Sequence, residues 1–158
     1  MPRLLAFLAL LLLARVALGE GYRYDFTRSD PALERWKLSG GTGRWELPDP
    51  SGRRALSVTG NGADSNYWWL RPVGLLPNTV YRVRFSARCA PGSTAMTVIA
   101  GLDVVNRDFG VTPAWSDYTF IVRTPADVRS AFLRLGQWHL KGTVYFRNLS
   151  LTLVETVH

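Results

Sequence analysis

The chain has 158 residues, with 19 Lys and Arg against 12 Asp and Glu, a net charge of +7, and 47% apolar residues. That length fits one domain with a single core. The basic residues are scattered without a run of four, whereas a nucleic-acid binder concentrates them in a stripe, so no nucleic-acid partner is expected. The only cysteine is Cys89, which excludes an internal disulfide and leaves stability to the core. With no histidine near it in sequence, Cys89 is expected to be a partly buried, inert thiol.

At the N-terminus Arg3 precedes an apolar run from Leu4 to Ala14, and Ala17 and Gly19 form a small-residue cleavage site. Residues 1–19 therefore read as a cleaved signal peptide, with a retained anchor as the alternative. The apolar run is well short of the roughly 20 residues that a membrane-spanning helix needs. Loss of Arg3 and Arg15 with the signal lowers the net charge from +7 to about +5. Residues 20–158 are expected to form a single monomeric domain with no membrane span, secreted, periplasmic or on the cell surface.

The segment Pro31 to Leu38, behind Ser29 and Asp30, is predicted to form a helix of one or two turns. Strands are predicted over Tyr22–Phe26, Gly43–Leu47, Ala55–Gly60, Tyr67–Pro72, Val80–Cys89, Ala95–Val104, Tyr118–Thr124, Ser130–Leu135 and Thr143–Leu153. Gly40-Gly41, Gly60-Asn61-Gly62, Pro77-Asn78, Pro91-Gly92 and Lys141-Gly142 punctuate them. Short strands at this spacing, without long helices, predict an all-β antiparallel β-sandwich or jelly roll.

Alternation assigns faces. Tyr81, Val83, Phe85 and Ala87 share one side of their strand, and Arg82, Arg84, Ser86 and Arg88 share the other. Trp115, Phe120 and Phe146 are placed with the inward set. Ala131, Leu133 and Leu135 form the inward set of the next-to-last strand, which puts Phe132, Arg134 and Trp138 opposite.

Three motifs carry a family resemblance. Pro77-Asn78-Thr79-Val80-Tyr81-Arg82-Val83-Arg84-Phe85-Ser86-Ala87 is similar to a turn and strand of the form P-x-T-x-Y-x-v-x-F-x-A. Trp115-Ser116-Asp117-Tyr118-Thr119-Phe120 is similar to W-x-x-Y-x-F, and Gly142 to Phe146 with Leu149 and Leu151 is similar to a closing strand G-x-v-y-F-D-d-v-x-L. Together they resemble the galactose-binding-like jelly-roll carbohydrate-binding modules, especially families 4, 9 and 22, over roughly 75 residues from Pro77 to Leu153. The resemblance implies a non-catalytic module whose partner is a polysaccharide or glycan. Family members often hold a structural calcium ion through an aspartate after the closing aromatic. This chain has Arg147-Asn148 there, and a cation cannot replace a calcium-ligating carboxylate. No cofactor is expected.

A pyranose ring packs its C–H face on a flat indole while its hydroxyls take polar partners at the rim. Of the six tryptophans, Trp36 and Trp45 are expected to pack the sandwich edge. Trp68 and Trp69 are adjacent in a strand and must point oppositely, so one of the two is available to a ligand. The candidate ligand-binding set is Trp69, Trp68, Arg84, Arg134, Gln137 and Trp138. Catalysis has little to build on. His139 and His158 are the only histidines, and no run of paired carboxylates marks a hydrolase; Asp103 with Asp64 or Asp108 is the pair an enzyme would need. Asn148-Leu149-Ser150 is a glycosylation sequon wherever the host has that machinery. The alternative to sugar binding is a structural or protein-interaction module of the cell envelope.

Overall fold

The computed structural model describes residues 21–27, 35–48, 50–72, 74–94 and 96–154. The expected signal peptide, most of the expected helix and His158 lie outside the described residues.

Among the described residues eleven strands form two antiparallel sheets: β1 (Tyr22–Tyr24), β2 (Lys37–Ser39), β3 (Thr42–Glu46), β4 (Ala55–Asn61), β5 (Ser65–Leu70), β6 (Val80–Cys89), β7 (Thr97–Leu102), β8 (Val105–Gly110), β9 (Ser116–Arg123), β10 (Leu133–Trp138) and β11 (Lys141–Leu153). The six-stranded sheet runs β3-β4-β11-β6-β9, with β1 also paired to β11, and the five-stranded sheet runs β2-β5-β10-β7-β8. The all-β jelly-roll sandwich read from the sequence is the observed architecture.

Two strands, β2 and β8, are not among those expected, and β10 runs from Leu133 to Trp138 instead of from Ser130 to Leu135. Lys37 and Leu38, taken as the end of a short helix, belong to β2, where Leu38 packs on the core and Lys37 is exposed. The run expected as one strand from Ala95 to Val104 instead turns back at Asp103 and Val104. Asp103 takes a left-handed φ of 56°, and the chain returns as β8. Aspartate tolerates that backbone region better than most residues, so the turn sits where the side chain permits it.

The alternation of β6 is reproduced. Tyr81, Val83, Phe85 and Ala87 are each at most 1% exposed and meet Val144, Phe146, Leu149 and Leu151 of β11 in the core. Cys89 is likewise fully buried, deeper than its expected half-burial.

Strict alternation from Phe146 would send Leu149 and Leu151 to the outside. A β-bulge prevents this. Arg147 pairs with Ser86 but Ser150 pairs with Arg84, so β11 uses one extra residue, and Asn148 absorbs it at a φ of 55°. The inward set changes from even to odd numbers at that point, and both leucines are fully buried. Beyond the bulge β1 replaces β4 as the neighbour of β11.

Candidate functional site

In the five-stranded sheet, Asn66, Trp68 and Leu70 of β5 and Leu133, Leu135 and Gln137 of β10 point between the sheets. Their alternates, Tyr67 and Trp69 on β5 and Arg134, Gly136 and Trp138 on β10, therefore share the outer face. The register sets Arg134 opposite Trp69 and Gly136 opposite Tyr67. On the other side of β10, Arg134 faces Gly101.

Both glycines are required by close approach. A Cβ on Gly136 would lie 2.3 Å from the Cβ of Tyr67 and from the backbone oxygen of Asn66, and one on Gly101 would lie 2.5 Å from Oδ1 of Asn106. Arg134, which pairs with Gly101, is only 8% exposed. Its guanidinium donates to Oδ1 of Asn106 on β8 and, at 3.3 Å, to the Asp103 carbonyl. It also lies 4.5 Å from the ring centre of Phe132, 5.3 Å from Tyr67 and 5.9 Å from Trp138. Burial pushes its pKa below the ordinary arginine value, while Tyr67 and Asp103 act in the opposite direction. Arg134 is thus a fixed cation around which the aromatic rings are arranged.

Trp69 stands edge-on to Phe132, with ring centres 6.0 Å apart, and Tyr67 meets Trp138 in the same way at 6.2 Å. Lys37 from β2 and Arg71, just past β5, approach the Trp69 ring at 5.4 and 5.7 Å. A hollow of about 250 Å³ is lined by Tyr67, Trp69, Arg71 and Phe132. It is smaller than the roughly 300–1,000 Å³ of sites that enclose a drug-sized molecule. The result is an open aromatic surface with exposed cations at its edges. Chemically it offers C–H packing against rings and N–H donors to oxygen.

Of the six residues singled out from the sequence, Trp69, Arg134 and Trp138 meet on this face. The other three do not join it. Trp68 points inward, and its Nε1 donates to the Ser57 carbonyl of the opposite sheet at 2.8 Å. Gln137 is fully buried, with Nε2 donating to the carbonyls of Gly142 and Val58 at 3.0 and 3.3 Å, where it ties the two sheets together. Arg84 lies on the outer face of the six-stranded sheet, on the far side of the molecule, because alternation assigns a residue to a face without saying which sheet its strand joins. Tyr67 and Phe132 were available to the same period-two reasoning as Trp69 and Arg134. Lys37 and Asn106 were hidden because their strands were not recognised.

Trp115 also differs from its expected inward position. It is half-buried beneath the guanidinium of Arg147, 3.9 Å from the ring centre, and Arg88 lies 5.4 Å from it and 5.1 Å from Tyr145. Arg147 thus brings a cation stacked on indole to the position where the sequence resemblance implies a carboxylate. The residues here do not fit a calcium ion, and the described residues contain no cluster of three or more His, Cys, Asp or Glu. Trp36 and Trp45 pack the edge as expected: Trp36 is buried against Tyr24 and Phe26, and Trp45 donates to the Phe26 carbonyl at 2.6 Å.

The carboxylates do not converge. Asp64 immediately precedes β5 and Asp103 follows β7 at the opposite end of the sheet, so six residues of strand, or roughly 20 Å at 3.3 Å each, separate them. Asp108 pairs with Ile99, four residues along β7 from Asp103, a separation of roughly 13 Å at the same rise. Glycoside hydrolysis uses carboxyl groups about 5–9.5 Å apart.

No family model matches the chain, and no curated protein does. Solved structures do. The xylan-binding CBM22-1 domain of Paenibacillus barcinonensis Xyn10C superposes with a TM-score of 0.68 at 15% identity, covering 88% of this chain and 97% of that one. The tandem CBM22-1–CBM22-2 domain of the same protein gives 0.71 at 16% identity over 87% of this chain and 47% of the tandem. The C-terminal family 22 module of Clostridium thermocellum Xyn10B gives 0.63 at 17% identity, covering 90% and 98%. The chain therefore has the jelly-roll fold of the family 22 carbohydrate-binding modules.

Proposed function

We propose that this protein is an exported, non-catalytic carbohydrate-binding module that holds a polysaccharide chain on the outer face of its five-stranded sheet. Trp69 and Trp138 pack against sugar rings, Arg134 positions both aromatic pairs, and Lys37, Arg71 and Asn106 are placed to bond hydroxyls at the rim. The observation that carries the reading is the aromatic face built around a buried arginine. Several solved neighbours are xylan-binding modules, which makes xylan the first polysaccharide to try. The separation of Asp64, Asp103 and Asp108 supports a role without bond cleavage.

A protein-docking role would call for a continuous apolar patch. The large apolar residues exposed among the described ones are Leu47, Met96, Val104, Ile121 and Leu153, and these fall on different strands and turns of both sheets. The aromatic cluster, by contrast, lies in the body of one sheet.

The test is affinity electrophoresis in gels containing neutral polysaccharides, xylan among them. The wild-type chain should be retarded by at least one of them. The double variant Trp69→Ala, Trp138→Ala should lose that retardation while keeping its melting temperature within a few degrees. Undiminished retardation of the double variant would remove this face as the site.

A further inference from the structure

The six-stranded sheet carries a second polar surface that the reading above does not use. Its outer face holds a groove of about 600 Å³ lined by Arg23, Arg84, Ser86, Asp117, Asn148 and Ser150, among others. Register explains its shape. Arg23 of β1 pairs with Ser150 of β11, which pairs with Arg84 of β6, which pairs with Thr119 of β9. These four residues form one row across four adjacent strands. Neighbouring strands are about 4.8 Å apart, so the two arginine stems rise about 10 Å apart with only a serine hydroxyl between them. Their forks can converge on one small group above Ser150.

The adjoining row is polar in a different way. Asn148, at the bulge, donates from Nδ2 to Ser86 Oγ at 3.0 Å, and Ser86 Oγ donates to Oδ1 of Asp117 at 2.5 Å. That chain fixes the Asp117 carboxylate in the row next to that of Arg84. Among the described residues no ion pair or hydrogen bond engages the Arg23 or Arg84 guanidinium, although Asp117 lines the same groove. Five N–H donors on each guanidinium are therefore available to a ligand.

We infer that this groove is a second glycan site, selective for an acidic sugar. The carboxylate of a uronic acid is clamped by Arg23 and Arg84 over the Ser150 hydroxyl, in the charge-assisted geometry that arginine favours. The ring hydroxyls are then taken by Asp117 and by the side-chain oxygen of Asn148. The mixed charge selects the ligand class. A polyphosphate or a nucleic-acid backbone presents anions at every contact and would be repelled by Asp117, whereas a uronate presents one carboxylate with hydroxyls beside it. The inference stands on this sheet alone and does not require the aromatic face to bind anything.

The experiment is an amide-resonance NMR titration with glucuronic acid, with glucose and inorganic phosphate as controls. Glucuronic acid should shift Arg23, Arg84, Asp117 and Ser150 together, and glucose should leave them unmoved. Arg84→Ala should weaken the glucuronate response by about tenfold or more, as expected for loss of a charge-assisted bond. Asp117→Asn, which keeps the size and can still accept from Ser86, should narrow the preference for glucuronate over phosphate. Trp69→Ala should leave these shifts intact, which separates this site from the aromatic face. The absence of glucuronate shifts in this row, or phosphate binding as tightly as glucuronate in the wild-type chain, would overturn the inference.

Discussion

Arg134 has a carbonyl, an amide oxygen and three aromatic rings around it and, among the described residues, no carboxylate bonded to it. Replacing it with Met keeps the stem but removes both hydrogen bonds. The expected cost is about 1 kcal/mol in a urea unfolding experiment, because the Asn106 side chain is not fully buried and can turn to water. The larger effect should fall on the rings, which lose the group that orders them. Trp69→Ala alone should lower glycan affinity by about tenfold or more, the usual weight of a central aromatic contact, with little change in melting temperature. Much of this was legible in the sequence, since the spacing of Phe132, Arg134 and Trp138 puts all three on one side of a strand. Gln137 was not, although its parity with Leu133 and Leu135 marks it as inward. A buried glutamine is uncommon and becomes intelligible only once the carbonyls of Val58 and Gly142 are seen across the gap between the sheets. Arg84 was misplaced for a different reason: strand pairing determines the sheet, and pairing has no local sequence signal.

The strands that position these residues depend on two local devices. In β10, Gly136 admits Tyr67; Gly136→Ala should destabilise the chain by about 1–3 kcal/mol through overpacking against the backbone of β5. It should also disturb glycan binding more than a stability change of that size would by itself, because Tyr67 and Trp138 lose their edge-on contact. In β11, the extra residue at Asn148 restores Leu149 and Leu151 to the core. Deleting Asn148 would turn both leucines outward, at about 1.5–3 kcal/mol each, a large share of the roughly 5–15 kcal/mol that a domain of this size possesses. Thermal unfolding of the deletion variant should show no cooperative transition near the wild-type temperature, whereas Asn148→Gly, which keeps the bulge, should unfold cooperatively. The bulge could be read in outline from the sequence, since Phe146, Leu149 and Leu151 cannot share a face under strict alternation. The β7–β8 hairpin could not. Its turn at Asp103-Val104 contains neither glycine nor proline, and β8 is a half-exposed edge strand with only Val105 and Phe109 turned to the core.

At the scale of the whole molecule, the sandwich presents two outer faces of different character. One is an aromatic surface ordered by Arg134, and the other is an arginine-flanked groove with Arg147 stacked on Trp115 nearby. The fold was readable because the three alternating runs that begin near Tyr81, Ser116 and Gly142 form adjacent strands of one sheet, β9-β6-β11, so their motifs describe a connected piece of structure. The proposed binding face belongs to the other sheet, which the motifs cover only in part. Five of the six indole N–H groups report directly on whether this face takes a sugar chain. Trp45 and Trp68 donate to backbone carbonyls within the protein, and Trp36 is buried in the core, whereas Trp69 and Trp138 lie on the proposed site. In a nitrogen–proton NMR titration with xylohexaose, followed by the other glycans of the electrophoresis panel, the indole resonances of Trp69 and Trp138 should move while those of Trp36, Trp45 and Trp68 stay fixed. Saturable binding that leaves Trp69 and Trp138 unmoved, or no shift at either with any glycan of the panel, would contradict the assignment of this face as a carbohydrate site.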